Sequence, residues 1–415
     1  MTSLSMLPIF LRWIFLGLAL LGTVTSTVYL LLVIIAAAKF MLRRRSHLRE
    51  AMVEDLPPLS LLKPVHGAEP LLDVNISSCI RQSYPADYEV LLCARHFSDP
   101  AFGVVDQVMK SLPSDLQVKV RKIECGEPIW VNPKVWSLER MLQSAKYPFV
   151  VITDSDVQVG EDFLRSIASD LKDPAVGLVT CLYRGVPTGG PWSRLEAIGM
   201  SVELTSGVLV AEMLEGMQFS LAPCMATKKT AISAIGGLVE LSECYADDFV
   251  LGNKISKAGL KVVLADYVIN HVVTNQAFLP SIRHQLGWMR STRFSRPKGH
   301  IGTVLTFAMP YAILGAVSEA VLGNWKLGIV LLGWGIANRI VQAILVGWGV
   351  TRDKESLKGC LIYPLRDLMG FVFWIWSYLG NEIGYRGEFY TFYDDGKIRL
   401  KEHRRHQAEL LADRK

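Results

Sequence analysis

Two carboxylates separated by one residue, Asp154 and Asp156, follow an apolar run near the middle of the chain. The run itself, residues 149–153, has the length and composition of a buried strand. Acidic side chains at positions i and i+2 of such a loop can point toward the same metal ion. Mg²⁺ and Mn²⁺ prefer oxygen ligands of this kind and can bind phosphate oxygens at the same time. A solvated turn uses the same residues, but the position after a strand favours a metal and diphosphate site with Asp154 and Asp156 as ligands.

A second acidic pair, Asp247 and Asp248, precedes a helical pattern over residues 250–258. Acids at a helix start have an ordinary explanation, because they interact favourably with the helix dipole. A carboxylate can also act as a general base that takes the proton from an attacking hydroxyl. One member of this pair is therefore a candidate catalytic base.

Further polar residues suit the phosphates or the nucleoside of a nucleotide. Lys63 and Pro64 end a predicted strand, and Lys134 lies in an Asn-Pro-Lys segment that begins a predicted helix. Asp99 follows another predicted strand, within Ser-Asp-Pro. Asp-Pro and Asn-Pro pairs are also common turn signals. These residues therefore support a nucleotide site only when they are taken together.

The elements that position these residues alternate between strand and helix over residues 50–280. Short apolar runs recur at residues 59–62, 88–93, 149–153 and 176–181, with helical patterns between them. This alternation predicts an α/β domain with a mostly parallel sheet. Ligands of such sheets bind beyond the carboxyl ends of the strands, which is where the candidate residues lie.

Longer apolar runs indicate membrane helices at both ends of the chain. Residues 13–38 form an apolar run, and about 20 such residues span a bilayer as a helix. Arginines at 43, 44 and 45 follow it, so the positive-inside rule predicts that residues 43 onward face the cytosol. Further runs occupy residues 302–322, 326–349 and 363–383.

The number of crossings conflicts with the charge of the C-terminus. Three further spans would put the end of the chain outside, yet residues 397–415 are strongly basic and favour the inside. One run, and we favour the last, is therefore re-entrant or interfacial. Residues 195–225 are apolar but carry four glutamates, which disfavours a span.

These patterns divide the chain into five parts. We predict an N-terminal membrane anchor over 1–42, a cytosolic catalytic domain over 50–280 and a basic, aromatic interfacial segment over 281–300. C-terminal transmembrane helices over 301–385 and a basic tail over 386–415 follow.

Composition narrows the function classes. The net charge is +5, half of the residues are hydrophobic and the mean hydropathy is +0.28, which is high for a soluble enzyme. Basic residues flank apolar runs, as expected for contact with anionic lipid, rather than marking a nucleic-acid surface. The seven cysteines contain no CxxC pair, which disfavours a zinc site or a disulfide framework.

Taken in order, the motifs resemble those of the ceramide glucosyltransferase family. The resemblance runs from about residue 57 to residue 298 and rests on these segments: Leu61-Leu62-Lys63-Pro64, Tyr88-Glu89-Val90-Leu91-Leu92-Cys93, Asp99-Pro100-Ala101, Asn132-Pro133-Lys134, Asp154-Ser155-Asp156, Gly236-Gly237, Asp247-Asp248 and Trp288. No single piece is specific, but the ordered set is.

The resemblance implies a GT-A fold, a UDP-sugar donor, a divalent metal and inversion to a β-linked glycolipid. By that analogy Asp99 contacts the nucleotide, and Asp154 and Asp156 handle ribose, diphosphate and metal. Asp248 becomes the base. The implied reaction moves glucose from UDP-glucose to a ceramide-type lipid.

One motif departs from the family. The family closes with Gln/Arg-x-x-Arg-Trp, whereas here His284 takes the first position and Gly287 replaces the arginine before Trp288. A guanidinium that would stabilise the leaving diphosphate is missing there. Arg290 or Arg283 is the candidate replacement, and we favour Arg290 because it lies beside Trp288.

Other functions remain open at the level of sequence. Bacterial relatives that transfer N-acetylglucosamine to hopanoid lipids look similar over the same region. A processive polysaccharide synthase would require more membrane spans and an intact closing motif. A catalytically inactive scaffold would not require Asp99, Asp154, Asp156 and Asp248. The expected location is an integral, multi-pass protein of a bacterial inner membrane or of the Golgi, with no nucleic-acid partner.

Overall fold

The predicted strands and helices form, and additional ones lie between them. The computed structural model describes residues 9–50, 55–385 and 388–401. The helices are α1 (Ile9–Glu50), α2 (Leu72–Ile80), α3 (Pro100–Lys110), α4 (Ser114–Gln117), α5 (Pro133–Ser144), α6 (Phe163–Leu171), α7 (Pro191–Ile198), α8 (Thr205–Glu215), α9 (Lys229–Ala234), α10 (Asp247–Lys257), α11 (Phe278–Ser295), α12 (Pro297–Gly302), α13 (Met309–Val321), α14 (Trp325–Gln342), α15 (Lys354–Gly359) and α16 (Tyr363–Ser377). The strands are β1 (Leu59–Pro64), β2 (Tyr88–Ala94), β3 (Val120–Glu124), β4 (Phe149–Ile152), β5 (Val157–Gln158), β6 (Val176–Pro187), β7 (Met225–Lys228), β8 (Lys261–Val273), β9 (Glu382–Tyr385), β10 (Glu388–Phe392) and β11 (Ile398–Leu400).

Eight strands form one mixed sheet in the order β3-β2-β1-β4-β7-β6-β8-β5. The first four strands in this order are parallel neighbours, and β6 and β8 are also parallel. Strand β7 lies antiparallel between β4 and β6, and β5 pairs antiparallel with β8. The predicted α/β fold class is confirmed, and the sheet is mixed because β5 and β7 run against their neighbours.

The central strands are apolar because both faces of the sheet are covered. Every residue of β1 and of β2 is buried. Leu61 faces the cluster formed with α2, α3 and α6, and Leu62 faces the cluster formed with α1, α5 and α8. A strand covered on both sides reads as a continuous apolar run rather than as an alternation, which is why the sequence revealed these strands.

The segment predicted as an N-terminal anchor forms a continuous helix. Within α1, residues Trp13–Arg44 are long and apolar enough to cross a membrane. At its end, the Arg43 guanidinium binds the carboxylates of Glu212 at 2.6 Å and Asp266 at 2.8 Å. The anchor is thereby attached directly to the α/β domain.

Two other segments of the described chain are long and apolar enough to span a membrane, Pro191–Glu215 and Trp325–Val350. The bent pair Pro297–Thr306 and Met309–Val321 is a further candidate if it counts as one span. The strands that flank Pro191–Glu215, β6 and β7, are neighbours in one sheet. That segment therefore starts and ends on the same side of any membrane, in keeping with the expectation that it is not a span.

The last apolar helix, α16, is short and is held by charged groups. It has 15 residues, which is roughly 22 Å of helix against about 30 Å of hydrocarbon. Asp367 on α16 pairs with Arg339 on α14 at 3.1 Å, and both side chains are buried. The other Asp367 oxygen accepts from the backbone N–H groups of Ala308 and Met309 at the start of α13.

Strands β9, β10 and β11 form a separate antiparallel sheet, called here the C-terminal sheet. We predicted a basic tail from residue 386, whereas residues 388–392 and 398–400 are strands; residues 402–415 lie outside the described part. Ile398 donates to the Glu243 carbonyl, and Tyr245 donates to the Gly396 carbonyl. These contacts join the C-terminal sheet to the α/β domain, so we predict that both face the same side of the membrane and that the chain crosses it an even number of times in between.

Candidate active site

Three charged side chains from separate elements meet at the carboxyl edge of the large sheet. The Lys134 amine, in the first turn of α5, lies 2.8 Å from Asp154 Oδ1 and 3.2 Å from Asp247 Oδ2. Burial alone would lower the pKa of Lys134, but the two carboxylates outweigh it and raise that pKa well above its ordinary value. The site therefore holds a permanent cation between two acids that we predicted independently.

The local sequence explains why Lys134 points into this site. The Asn132 side chain caps α5 by accepting from the N–H groups of Lys134 and Val135, and Pro133 fits the first helical position. The Nδ2 group of the same Asn132 side chain donates to the Cys244 carbonyl at 2.7 Å. One asparagine thus ties the start of α5 to the loop before Asp247.

Lys63 binds the backbone of the loop that carries Asp154 and Asp156. It is fully buried, and its amine donates to the carbonyls of Asp154 at 2.5 Å and Val157 at 3.2 Å. Pro64 ends β1 beside it. The sequence suggested Lys63 as a phosphate contact; in the structure it contacts the backbone of the acidic loop and fixes its course.

Asp156 faces a histidine that the sequence analysis did not single out. His271 on β8 lies with Nδ1 3.2 Å from Asp156 Oδ1, and neither atom has a hydrogen-bond partner despite being buried. Burial raises the pKa of Asp156, and the nearby imidazole opposes that shift. Carboxylate oxygen and imidazole nitrogen are donors that divalent cations accept, so the pair fits an ion that would also meet the loop of Asp154. Among the residues described, no group of three or more such side chains is already arranged around one point.

The two members of the second acidic pair differ in their surroundings. Asp247 is 5% exposed and is neutralised by Lys134. Asp248 is half-buried, and its Oδ2 accepts from the Ala222 N–H at 2.9 Å. Burial, and then the charge of Asp247, raise the pKa of Asp248 to about 6. A carboxylate with that pKa is ionised at neutral pH and is basic enough to take a proton.

An apolar surface adjoins the acidic residues. Trp288 and Tyr183 pack against the buried residues Ala197, Met200 and Val273. The Tyr183 ring lies 5.5 Å from that of His271, so the surface reaches the acidic site. Trp288 is thus part of an apolar surface beside the acidic site.

A buried carboxylate on α7 binds the part of α11 that precedes Trp288. Glu196 accepts from the Ser281 hydroxyl at 2.9 Å and contacts His284 Nδ1 at 3.0 Å. The His284 ring lies 4.3 Å from the Trp288 ring. We expected the glutamates after residue 195 only to disfavour a span, but Glu196 organises the start of α11.

Asp99, which we predicted to contact the nucleotide, follows β2 at the carboxyl edge of the sheet, and its carboxylate has structural partners. It caps α3 through the Ala101 N–H, accepts from the Gly67 N–H and pairs with His66 Nδ1 at 3.3 Å. A cavity of about 90 Å³ adjoins this region, and His66 and Pro133 are among its lining residues. A larger cavity of about 420 Å³ lies between α2 and α3, lined by none of the predicted site residues.

Neither candidate for the missing arginine contacts the acidic residues. Arg290 donates to the carbonyls of Glu382 at 2.6 Å and Leu379 at 2.8 Å, and Arg283 is exposed. A Cβ at Gly287 would lie 2.8 Å from Cδ1 of Ile383. The glycine gives room to the C-terminal sheet, and Arg290 holds that sheet in place.

Comparison with known proteins agrees with the predicted resemblance. Residues 18–398 match the model of a family described as Glycosyl transferase family 21. Ceramide glucosyltransferase 1 of Caenorhabditis elegans is 27% identical over 251 residues, which are 60% of this chain and 52% of that protein. The ceramide glucosyltransferase of Gibberella zeae is 28% identical over 176 residues, 41% of this chain and 33% of that protein. The chain thus spans about half the length, or less, of these curated relatives.

Solved structures show more distant similarity. The mannosyltransferase PcManGT from Pyrobaculum calidifontis, in complex with GDP-Man and Mn²⁺, is 18% identical with a TM-score of 0.46, covering 87% of this chain and 99% of that one. Glucosyl-3-phosphoglycerate synthase from Mycobacterium tuberculosis, with Mn²⁺, UDP-glucose and phosphoglyceric acid, is 18% identical with a TM-score of 0.36. That comparison covers 55% of this chain and 78% of that one.

Proposed function

The chain belongs to glycosyl transferase family 21, and on that premise we propose that it transfers glucose from UDP-glucose to a hydroxyl of a ceramide-type membrane lipid. The observation that carries the proposal is that the acidic edge holding Lys134, Asp154 and Asp247 is joined, through Asp156 and His271, to the apolar surface of Tyr183 and Trp288. A charged donor and an apolar acceptor would meet at that boundary.

The donor occupies the charged side of the site in this proposal. Lys134 is the cation available to the diphosphate, and its present partners, Asp154 and Asp247, keep it protonated. Asp154, Asp156 and His271 would hold a divalent ion. Such an ion supplies charge stabilisation to the leaving diphosphate. Asp99 orders the loop beneath the nucleoside through Gly67 and His66.

Asp248 acts as the general base. The acceptor oxygen forms a bond to the anomeric carbon while the bond from that carbon to the diphosphate oxygen breaks. The acceptor proton passes to Asp248, whose pKa of about 6 leaves it ionised at neutral pH. A single displacement of this kind inverts the anomeric configuration, so an α-linked donor gives a β-linked glycolipid.

The membrane places the acceptor. Helix α1 and the apolar segments after residue 297 hold the α/β domain at the bilayer, and the basic helix α11 leads from the site toward them. With arginines at the end of α1, the positive-inside rule supports a catalytic domain that faces the cytosol. A lipid headgroup would then enter from the membrane side, past Trp288.

The test is mass spectrometry of lipids after incubation of membranes containing the full chain with a UDP-sugar and a defined lipid. UDP-glucose with ceramide should give a hexosylceramide, and the Asp248→Asn chain should form it about 10²–10⁴-fold more slowly. Each reaction is run alongside membranes without the chain, and released UDP is measured in parallel.

Other products would replace the proposal with a defined alternative. N-acetylglucosamine on a hopanoid from UDP-N-acetylglucosamine would assign the chain to the bacterial lipid branch. A water-soluble polymer would indicate a processive synthase. If no UDP is released with any donor and lipid, the chain would be a catalytically inactive scaffold.

A further inference from the structure

The C-terminal sheet covers part of the edge at which the donor should bind. Besides its backbone hydrogen bonds to residues 243 and 245, it buries a small core of Ile383, Tyr390, Phe392 and Ile398. The Phe392 ring lies 5.4 Å from that of Tyr245 and stacks on Phe294 of α11 at 5.1 Å. The sheet is therefore packed between the loop before the catalytic acids and the helix of the closing motif.

Strand β10 reaches the nucleotide end of that edge. The cavity of about 90 Å³ is lined on one side by residues after β1, β2 and β3, among them His66 and Arg95, and on the other by Glu388 and Tyr390. The Tyr390 hydroxyl donates to Glu388 Oε2 at 2.7 Å. The cavity thus has cationic or neutral walls from the large sheet and one carboxylate from the C-terminal sheet.

The cavity and the charged cluster adjoin the same helical turn. Pro133 and Ser137 line the cavity, while Lys134 contacts Asp154 and Asp247. A ligand with a ring in the cavity would have its diphosphate within reach of Lys134. A nucleoside diphosphate has this shape, and its base N–H and ribose hydroxyls need hydrogen-bond acceptors.

We propose that β10 forms one wall of the nucleoside pocket, with Glu388 accepting hydrogen bonds from the nucleoside of the donor and Tyr390 orienting that carboxylate. This inference rests on the proposed function, because it names a further contact for the same donor. It assigns a binding role to a segment that the sequence motifs do not include.

The test is equilibrium binding of UDP and of inorganic pyrophosphate to the purified full-length chain. Loss of one hydrogen bond to a charged acceptor should raise the UDP dissociation constant of Glu388→Gln by about tenfold. Pyrophosphate, which lacks the nucleoside, should bind Glu388→Gln as it binds the parent. Tyr390→Phe, which keeps the buried ring, should weaken UDP binding by a smaller factor.

Glu382→Gln is the matched control, since Glu382 lies in the neighbouring strand and its carboxylate pairs with Lys401 on the exposed side. Its UDP affinity should equal that of the parent. Equal UDP affinities for Glu388→Gln and Glu382→Gln would overturn the inference while leaving the proposed function intact. Equal losses for UDP and pyrophosphate would also overturn it, because they would indicate a general structural effect. A parent chain that binds no UDP would overturn the proposed donor together with this inference.

Discussion

Gly287 on α11 and Ile383 on β9 approach so closely that a Cβ at the glycine would lie 2.8 Å from the Ile383 Cδ1 atom. The ceramide glucosyltransferase family has an arginine at the position of Gly287. In this chain the glycine leaves space for Ile383 of the C-terminal sheet to pack against α11. The departure from the family motif is therefore accompanied by a contact that an arginine would exclude.

Restoring the family arginine should damage the enzyme. Gly287→Arg places a long charged side chain where Ile383 packs, so we expect it to displace β9, lower the melting temperature and reduce UDP release. Gly287→Ala should be tolerated, because the atom it meets is the far end of a side chain that can rotate. The double variant Gly287→Arg/Ile383→Ala should recover part of the lost activity. Full activity of Gly287→Arg alone would contradict the steric account.

Removal of the Asp248 carboxylate should slow the chemical step and spare donor binding. A positioned base contributes about 10²–10⁴-fold, so kcat of Asp248→Asn should fall by that factor while the Kd for UDP stays near that of the parent. Asp247→Asn should instead weaken donor binding, because it removes a partner of Lys134. The reverse pattern would make Asp247 the base.

The same assignment sets the pH dependence. The active form of Asp248 is the ionised one, so kcat/KM should fall as the pH drops through about 6. In the Asp247→Asn enzyme this acidic limb should move to lower pH, because a neighbouring negative charge that raises the Asp248 pKa is gone.

Chelation should abolish turnover, and Mg²⁺ or Mn²⁺ should restore it. Asp156→Asn should lose turnover in the same way, and His271→Ala should raise the Mn²⁺ concentration needed for half-maximal activity. Paramagnetic Mn²⁺ binding, followed by electron resonance, gives a readout that is independent of turnover. Full activity in chelator would remove the metal role from Asp154, Asp156 and His271.

Substitution of Arg290 should separate two roles for its guanidinium. Because the Arg290 guanidinium binds the backbone carbonyls of Leu379 and Glu382, we expect Arg290→Ala to speed hydrogen exchange in β9 and to lower turnover by loosening the C-terminal sheet. Arg296→Ala, which removes an exposed pair with Glu215, should change neither. Lost turnover with unchanged exchange in β9 would place the guanidinium on the leaving diphosphate, as the sequence first suggested.

The C-terminal sheet and the catalytic domain should face the same compartment. Single cysteines at the exposed positions 115 and 401 should react with an impermeant maleimide from the same side of sealed vesicles. A cysteine at position 324, in the link between α13 and α14, should react from the other side. Labelling of positions 115 and 401 from opposite sides would contradict an even number of crossings, and labelling of position 324 from the same side as both would mean that α13 and α14 do not cross.

The sequence predicted β1, β2, β4 and the start of β6 from their continuous apolar runs, and it did not reveal β3, β5, β7, β8 or the C-terminal sheet. In β3 only Val120 is buried, while Arg121 and Glu124 are exposed, so the strand has no continuous apolar run. The C-terminal sheet is even harder to predict from the sequence, because its core side chains pack on Tyr245 and Phe294, which lie far away in sequence. Only the folded chain brings those partners together.

The candidate site divides in the same way. Asp154, Asp248 and Lys134 each follow a local signal, namely a strand end or a helix start, and the sequence revealed them. His271 has no such signal, because it lies within the long strand β8 and becomes notable only through Asp156. Arg290 carried a clear local argument from its neighbour Trp288, yet tertiary packing gives its guanidinium backbone carbonyls as partners.

The ion pair between Arg339 and Asp367 bears on how the protein is made. The two charges lie on α14 and α16, which leave the ribosome one after the other. An arginine in the middle of the bilayer costs about 2.5–3.5 kcal/mol on insertion scales, and its partner arrives only once α16 has been synthesised. Helix α14 should therefore stay near the translocon until α16 emerges, and the two should leave it as a hairpin. Truncation between them would expose an unpaired cation to lipid and mark the fragment for degradation by membrane quality control.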